Sequence, residues 1–238
     1  MLLALSVLAG KSFGQIWDAQ YTGDGLVNSP WLVTGNGSTQ SPNFTTGPGT
    51  ITIGDGSATT PWAEQLHSTS GSLWNVSSTA ATVETTFYVN SFAGGVGTAL
   101  RVDNGISLWD VFIADTYIQV NGATPGVGVQ TGLSIGTGSG NAHTLRVTYD
   151  SNGLDAYLDG TALSSLQDLA GGTSFGSQIL LSRYSSAIPA QAYATYETVQ
   201  WNNTQAISPI PEPGTTALFV LGGAGMVLFF KRVRSLRV

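Results

Sequence analysis

The sequence predicts an all-β domain built from two packed antiparallel sheets. Apolar residues recur at every second position in several stretches, and those stretches end in Gly, Asn, Asp or Ser. The composition agrees: Gly is 31 of 238 residues and only 9 % are charged, too few charges for the solvated faces of a helical bundle or coiled coil. Apolar residues at 42 % suffice to bury a core. With no Cys in the chain, disulfide scaffolds, thiol catalysis and Cys-ligated zinc are excluded.

Taken in order, residues 1–14 read as an export leader. Leu2 to Ala9 is an apolar run, and Ser12, Phe13 and Gly14 put small residues at −3 and −1 of a cleavage point after Gly14. No Lys or Arg precedes the run, so either the true start lies upstream of Met1 or the leader is a weak one. The sandwich is expected over 15–208. Its first clear strand is Gly49–Ile53. Val83, Thr85, Phe87 and Val89 then alternate with Glu84, Thr86 and Tyr88. Asp103-Asn104-Gly105 separates strands at Thr98–Val102 and Ile106–Ala114, and Tyr117–Val120 follows. Asp150-Ser151-Asn152-Gly153 separates Leu145–Tyr149 from Leu154–Leu158, a strong hairpin signal because Asn and Gly tolerate positive φ. Leu163 to Leu169 is the one stretch expected to make a helical turn or two. Strands at Gln178–Ser182 and Tyr193–Trp201 complete the set.

The runs ATVETTFYV, ALRVDNGISLWDVFIADTYIQV, NAHTLRVTYDSNGLDAYLDGTAL, ILLSRYSS and YATYETVQW, in that order, resemble the concanavalin A-like lectin/glucanase jelly roll of the laminin-G-like superfamily. The similarity spans roughly 80 to 202, with the preceding 60 residues fitting as the first strands. The resemblance implies a two-sheet jelly roll, a carbohydrate ligand and, in some members, a Ca²⁺ ion at a sheet rim.

The C-terminal 30 residues have a different character. Thr215 to Phe230 is apolar for 16 residues; as a helix it would span about 24 Å, against roughly 30 Å of hydrocarbon. Snorkelling by Lys231 and Arg232 extends that reach, so a marginal transmembrane helix over 215–230 is expected. The cluster Lys231, Arg232, Arg234 and Arg237 would stay cytoplasmic as a stop-transfer signal, with the body outside. Pro211-Glu212-Pro213 immediately upstream forms a stiff extended stretch that a processing enzyme can grip. The order Pro-Glu-Pro, apolar segment, basic end resembles the PEP-CTERM sorting signal of Gram-negative bacteria. The resemblance implies that an exosortase-type processing enzyme reads Pro211, Glu212 and Pro213, and that the protein belongs to an envelope or matrix containing exopolysaccharide.

Charge excludes one class of partner. Between residues 15 and 210 stand 3 basic and 13 acidic residues, so the body carries 3 − 13 = −10. Such a body repels phosphate backbones, and no nucleic-acid binding is expected.

Chemistry is sparser. Glucanases of the resembled superfamily carry Glu-x-Asp-x-(x)-Glu on one strand, and the body's three glutamates, Glu64, Glu84 and Glu197, are far apart in sequence. Folding could bring Glu84 and Glu197 together. His67 and His143 lie outside any nucleophile motif. The stretches 126–132 and 136–140 are Gly-rich but precede no helix bearing Lys, and read as turns. No catalytic residue and no cofactor is expected, and the chain is read as not an enzyme. Asp150, Asp155 and Asp159 sit around one hairpin with the oxygen chemistry that Ca²⁺ takes, although Asp-Asn-Gly is also ordinary turn chemistry. Trp62, Trp109 and Tyr157 are the candidate sugar-stacking aromatics, if they point outward. The expected role is structural, adhesive or glycan-binding at the cell surface; a polysaccharide hydrolase or lyase on the same fold is the alternative.

Overall fold

The computed structural model describes residues 17–21, 31–35, 44–47, 49–53, 62–68, 79–92, 96–122, 128–184, 193–203 and 205–209. The expected leader, membrane segment, Pro211–Pro213 and basic end lie outside these. Among the described residues no helix is long and apolar enough to cross a membrane.

Sixteen strands are described: β1 (Ala19–Tyr21), β2 (Trp31–Gly35), β3 (Phe44–Gly47), β4 (Thr50–Ile53), β5 (Trp62–Ser68), β6 (Ala81–Ser91), β7 (Val96–Asp103) and β8 (Ser107–Ala114), followed by β9 (Tyr117–Asn121), β10 (Gly128–Gly132), β11 (His143–Tyr149), β12 (Leu154–Leu158), β13 (Thr161–Ala162), β14 (Gly172–Thr173), β15 (Gln178–Tyr184) and β16 (Tyr193–Asn202). They form two antiparallel sheets. The first runs β13-β12-β11-β6-β16-β4-β3, with β1 also on β16; the second runs β10-β9-β8-β7-β15-β5-β2, with β14 on β8. This is the two-sheet sandwich that the alternation predicted.

Alternation explains which side each residue takes. In β6, Val83, Thr85, Phe87 and Val89 are buried inward while Glu84, Thr86 and Tyr88 face out, half-buried. Leu145, Val147 and Tyr149 of β11 and Tyr196, Val199 and Trp201 of β16 meet Leu100, Val102, Trp109, Val111, Ile113 and Leu181 from the second sheet in one core. Each large side chain so buried is worth about 1.5–3 kcal/mol. Two contacts bind sheet to sheet. Trp109 stacks on Tyr149 with ring centroids 5.4 Å apart, and the Thr98 hydroxyl is bonded to the Tyr196 phenol. Burial pushes that phenol well above its ordinary range, which the Thr98 bond only partly offsets.

Both predicted hairpins form. β11 and β12 pair from Tyr149↔Leu154 outward, with Asp150 N donating to Gly153 O at 3.1 Å. Gly153 has φ 140°, and a Cβ there would come within 2.7 Å of the Asp168 and Leu169 backbone, so only glycine fits. At the other hairpin, Asn104 N donates to Ser107 O at 3.0 Å and its side-chain Oδ1 accepts from Ile106 N and Ser107 N.

Leu163 to Leu169 is not helical. A helical turn or two was expected here, but the segment instead follows the edge of β12: Ala156 N donates to Leu166 O, and Leu154 and Leu169 exchange backbone bonds. The outer edge of β12 needed partners, and these carbonyls supply them. The one helical turn among the described residues is a 3-10 turn at Ser139–Asn141.

Candidate functional site

Two outer faces are available for a ligand. The centre of the first sheet's outer face is a row across four strands: Tyr157 (β12), Arg146 (β11), Glu84 (β6) and Gln200 (β16) stand opposite one another in turn. Arg146 Nε donates to Glu84 Oε2 at 2.6 Å, and the Gln200 amide donates to Oε1 at 2.6 Å. The chain then closes over this row. Segment 205–209 lies against it: Arg146 donates to Ile207 O, the Thr82 hydroxyl donates to Gln205 O while accepting from Ile207 N, and the Tyr157 hydroxyl meets Ser208 Oγ at 3.1 Å. The Trp17 ring stacks on the Arg146 guanidinium, 5.6 Å from its centroid.

The second sheet's outer face has comparable polar groups; among the described residues, segment 174–176 closes over its Asp103 and Arg101 end, and none is hydrogen-bonded across the Asp110, Gln119 and Asn121 side chains. One row of facing positions runs His67, Leu180, Arg101, Asp110, Asn121 and Gly128; the next runs Gln65, Ser182, Ala99, Phe112, Gln119 and Gln130. Arg101 grips Asp110 with two parallel bonds, Nε to Oδ1 at 2.6 Å and Nη2 to Oδ2 at 3.0 Å. The Gln130 amide donates to Gln119 Oε1, and the Gln119 amide donates to Asn121 Oδ1. The Asn121 Nδ2 and the Gln130 side-chain Oε1, at the two ends of this chain, take no partner among the described residues, while the Gln130 backbone carbonyl accepts from Ser165 Oγ at 3.2 Å. Gly128 makes room for it: a Cβ there would lie 2.2 Å from Asn121 Oδ1 and 2.3 Å from the Gln119 side chain. A guanidinium, a carboxylate and three amides arrayed on a flat surface offer alternating donors and acceptors, as vicinal hydroxyls require.

The sequence candidates fall differently. Trp109 is a correction: it is buried in the core, and its indole N–H donates to Leu169 O at 2.8 Å, so it is not an outward sugar platform. Tyr157 is outward but buried, its hydroxyl engaged by Ser208. Trp62 lies in β5 opposite Tyr184; its side chain is outside the described residues. The three aspartates are not brought together. Asp150 Oδ1 accepts from Asn152 N at the hairpin turn, and Asp155 Oδ1 accepts from Asp168 N. Asp159, at the far end of the hairpin, binds His143 Nδ1 and Thr144 N, both at 2.8 Å. Among the described residues no three His, Cys, Asp or Glu side chains gather as a metal site. Nor do Glu84 and Glu197 converge as a pair: the register puts Gln200 opposite Glu84, and Glu197 falls in the irregularity between Tyr196 and Thr198.

Arg101 and Asp110 were missed, and their pairing was not legible: a turn at Asp103–Gly105 counts outward to Arg101 opposite Ser107, whereas the observed pairing resumes at Asp103↔Leu108, a longer turn that puts Arg101 opposite Asp110.

No protein-family model matches the chain, and no curated protein matches it significantly. Solved structures do. The chain is similar to a glycosyl hydrolase family protein from Mycobacterium fortuitum, with 17 % identity, a TM-score of 0.53, and coverage of 79 % of this chain and 100 % of that one. It is similar to the Bacillus licheniformis β-glucanase, with 15 % identity, a TM-score of 0.54, and coverage of 77 % and 97 %. It is also similar to the carbohydrate recognition domain of Emp47p, with 13 % identity, a TM-score of 0.52, and coverage of 79 % and 96 %. At such identities the likeness establishes the fold, the concanavalin A-like sandwich. It also overturns the expectation that the chain is not an enzyme. That reading rested on a missing one-strand carboxylate motif, and the fold proves to be one that glycosyl hydrolases share with lectin-type domains.

Proposed function

We propose that the domain engages polysaccharide on the outer face of its second sheet, around Arg101, Asp110, Gln119, Asn121 and Gln130. The supporting observation is the ladder of partly satisfied hydrogen-bonding side chains on the face that segment 205–209 leaves uncovered. The fold shared with glucanases and a carbohydrate recognition domain points the same way. A glycan array probed with the full chain tests it: binding of at least one polysaccharide class, weakened in Gln119→Ala/Gln130→Ala, is expected. No binding at millimolar glycan would sink the reading.

A second reading, cleavage of polysaccharide on the same face, draws on the hydrolases that share the fold and on Asp110, whose carboxylate the Arg101 fork holds in a fixed orientation. Release of reducing sugar, abolished in Asp110→Asn, is the result that would establish it.

Within the same proposal, residues 1–14 direct export. Pro211, Glu212 and Pro213, with the apolar segment and Lys231, Arg232, Arg234 and Arg237, sort the protein to the outer envelope or matrix through an exosortase-type enzyme. Intact mass of the secreted form checks this; a mass that retains residues 214–238 defeats it.

A further inference from the structure

Phe175 is the least expected side chain on the surface. It sits in the 174–177 connection between β14 and β15 and is 76 % exposed. A lone exposed apolar residue needs no explanation, but this one is held in place. Asp103, fully buried at the end of β7, accepts from Phe175 N at 2.8 Å through Oδ2 and from the Ser174 hydroxyl at 2.6 Å through Oδ1. Its Oδ1 also accepts from Gly105 N at 3.0 Å, tying the β7–β8 turn to the same carboxylate. Ser174 Oγ in turn accepts from Gly176 N at 3.0 Å. The backbone before the ring is therefore fixed by bonds to the carboxylate and the backbone after it by a bond to the Ser174 hydroxyl.

The ring also has two unlike faces. One lies on the Arg101 guanidinium, whose carbon is 5.7 Å from the ring centroid. The other is turned to water. Arg101 is the residue that grips Asp110, so the ring stands directly beside the polar ladder of the second sheet.

We infer that Phe175 is the stacking platform of a sugar subsite, with Arg101 as the support under its covered face, and that its ligand is a neutral pyranose unit of a polysaccharide. The inference rests on the proposed polysaccharide face and names a subsite within it. A pyranose presents an apolar C–H face and a rim of hydroxyls. The C–H face suits the open side of the ring, and the rim of hydroxyls suits the polar ladder beside which the ring stands. The cation under the ring holds it flat and in place, so little side-chain freedom is lost on binding. Neutral sugars are favoured over uronic acids because the body carries 3 − 13 = −10 between residues 15 and 210.

The test is calorimetric titration of the full chain with β-1,3-linked and β-1,4-linked glucose hexamers and with an oligogalacturonate of equal length. The wild type is expected to bind a neutral hexamer more tightly than the uronate. Phe175→Ala should weaken that binding about tenfold, as truncating one well-placed aromatic does, and Phe175→Trp should keep or strengthen it. Ile106→Ala, at an equally exposed apolar residue on the neighbouring turn (79 % exposed), should leave affinity within about twofold. Thermal melts of all three variants guard against unfolding, which no substitution at so exposed a position should cause. If the wild type binds a neutral hexamer and Phe175→Ala binds equally well, the subsite is wrong while the polysaccharide face stands. If the wild type prefers the uronate, the neutral-ligand assignment fails. If it binds none of the three and the glycan array is also blank, the face itself is wrong and the subsite falls with it.

Discussion

On one outer face of the sandwich Arg146 and Glu84 form an ion pair, and on the other Arg101 and Asp110 do the same. The first pair is drawn into the protein's own structure. Glu84 also holds Gln200, and Arg146 also holds the Ile207 carbonyl and the Trp17 ring. The second has its cation beneath an exposed ring, and its neighbours are a chain of amides whose two end groups take no partner among the described residues. The same chemistry thus serves closure on one side, while on the other the groups beyond Phe175 have no such cover among the described residues.

The largest expected effect separates the two by stability. Glu84→Ala strips a nearly buried guanidinium of its counter-ion and releases Gln200, so a loss of about 3 kcal/mol is expected in urea denaturation. Asp110→Ala removes a partner from a pair that keeps more contact with solvent, 25 % and 17 % exposed against 10 % and 14 % for Arg146 and Glu84, and should cost less, about 1–2 kcal/mol, while reducing glycan binding. Equal stability losses in the two variants would erase the distinction between the faces. Gly128→Ala comes next: its Cβ would collide with the Gln119 and Asn121 amides, so it should disturb sugar binding with a destabilisation of about 1–2 kcal/mol. Tyr157→Phe removes only the bond to Ser208 and should cost about 0.5–1.5 kcal/mol with no effect on binding. The smallest effect is confined to alkaline solution. In the unfolded chain the Tyr196 phenol titrates near its ordinary 10.0, whereas burial keeps it protonated to higher pH in the native state. The native state therefore holds the extra proton, and stability should fall as pH rises past about 10. That slope should be shallower in Tyr196→Phe.

How much of this was legible in the sequence depended on what holds each part together. Strands whose sides are set by burial, such as β6, β11, β12 and β16, announced themselves by alternation. The short strands β3 (FTTG), β10 (GVQTG), β13 and β14 did not, because they contribute few inward apolar residues. They exist chiefly because the edge of a neighbouring strand offers free N–H and C=O groups. The same blindness misled the search for a site. Trp109 looked like a ligand platform by residue type, yet its position in β8 put it on the core side. Phe175, in a Gly-Thr-Ser-Phe-Gly-Ser run, carries no sequence signal of a site; only the buried carboxylate of Asp103, 72 residues away in the chain, makes it a fixed feature.

Stitching 205–209 to the first sheet also sets a direction. Residue 209 is thereby held on that side of the sandwich. A domain held by its downstream end would be mounted by its back, like a tile on a wall, and would turn the Arg101–Phe175 side towards its surroundings.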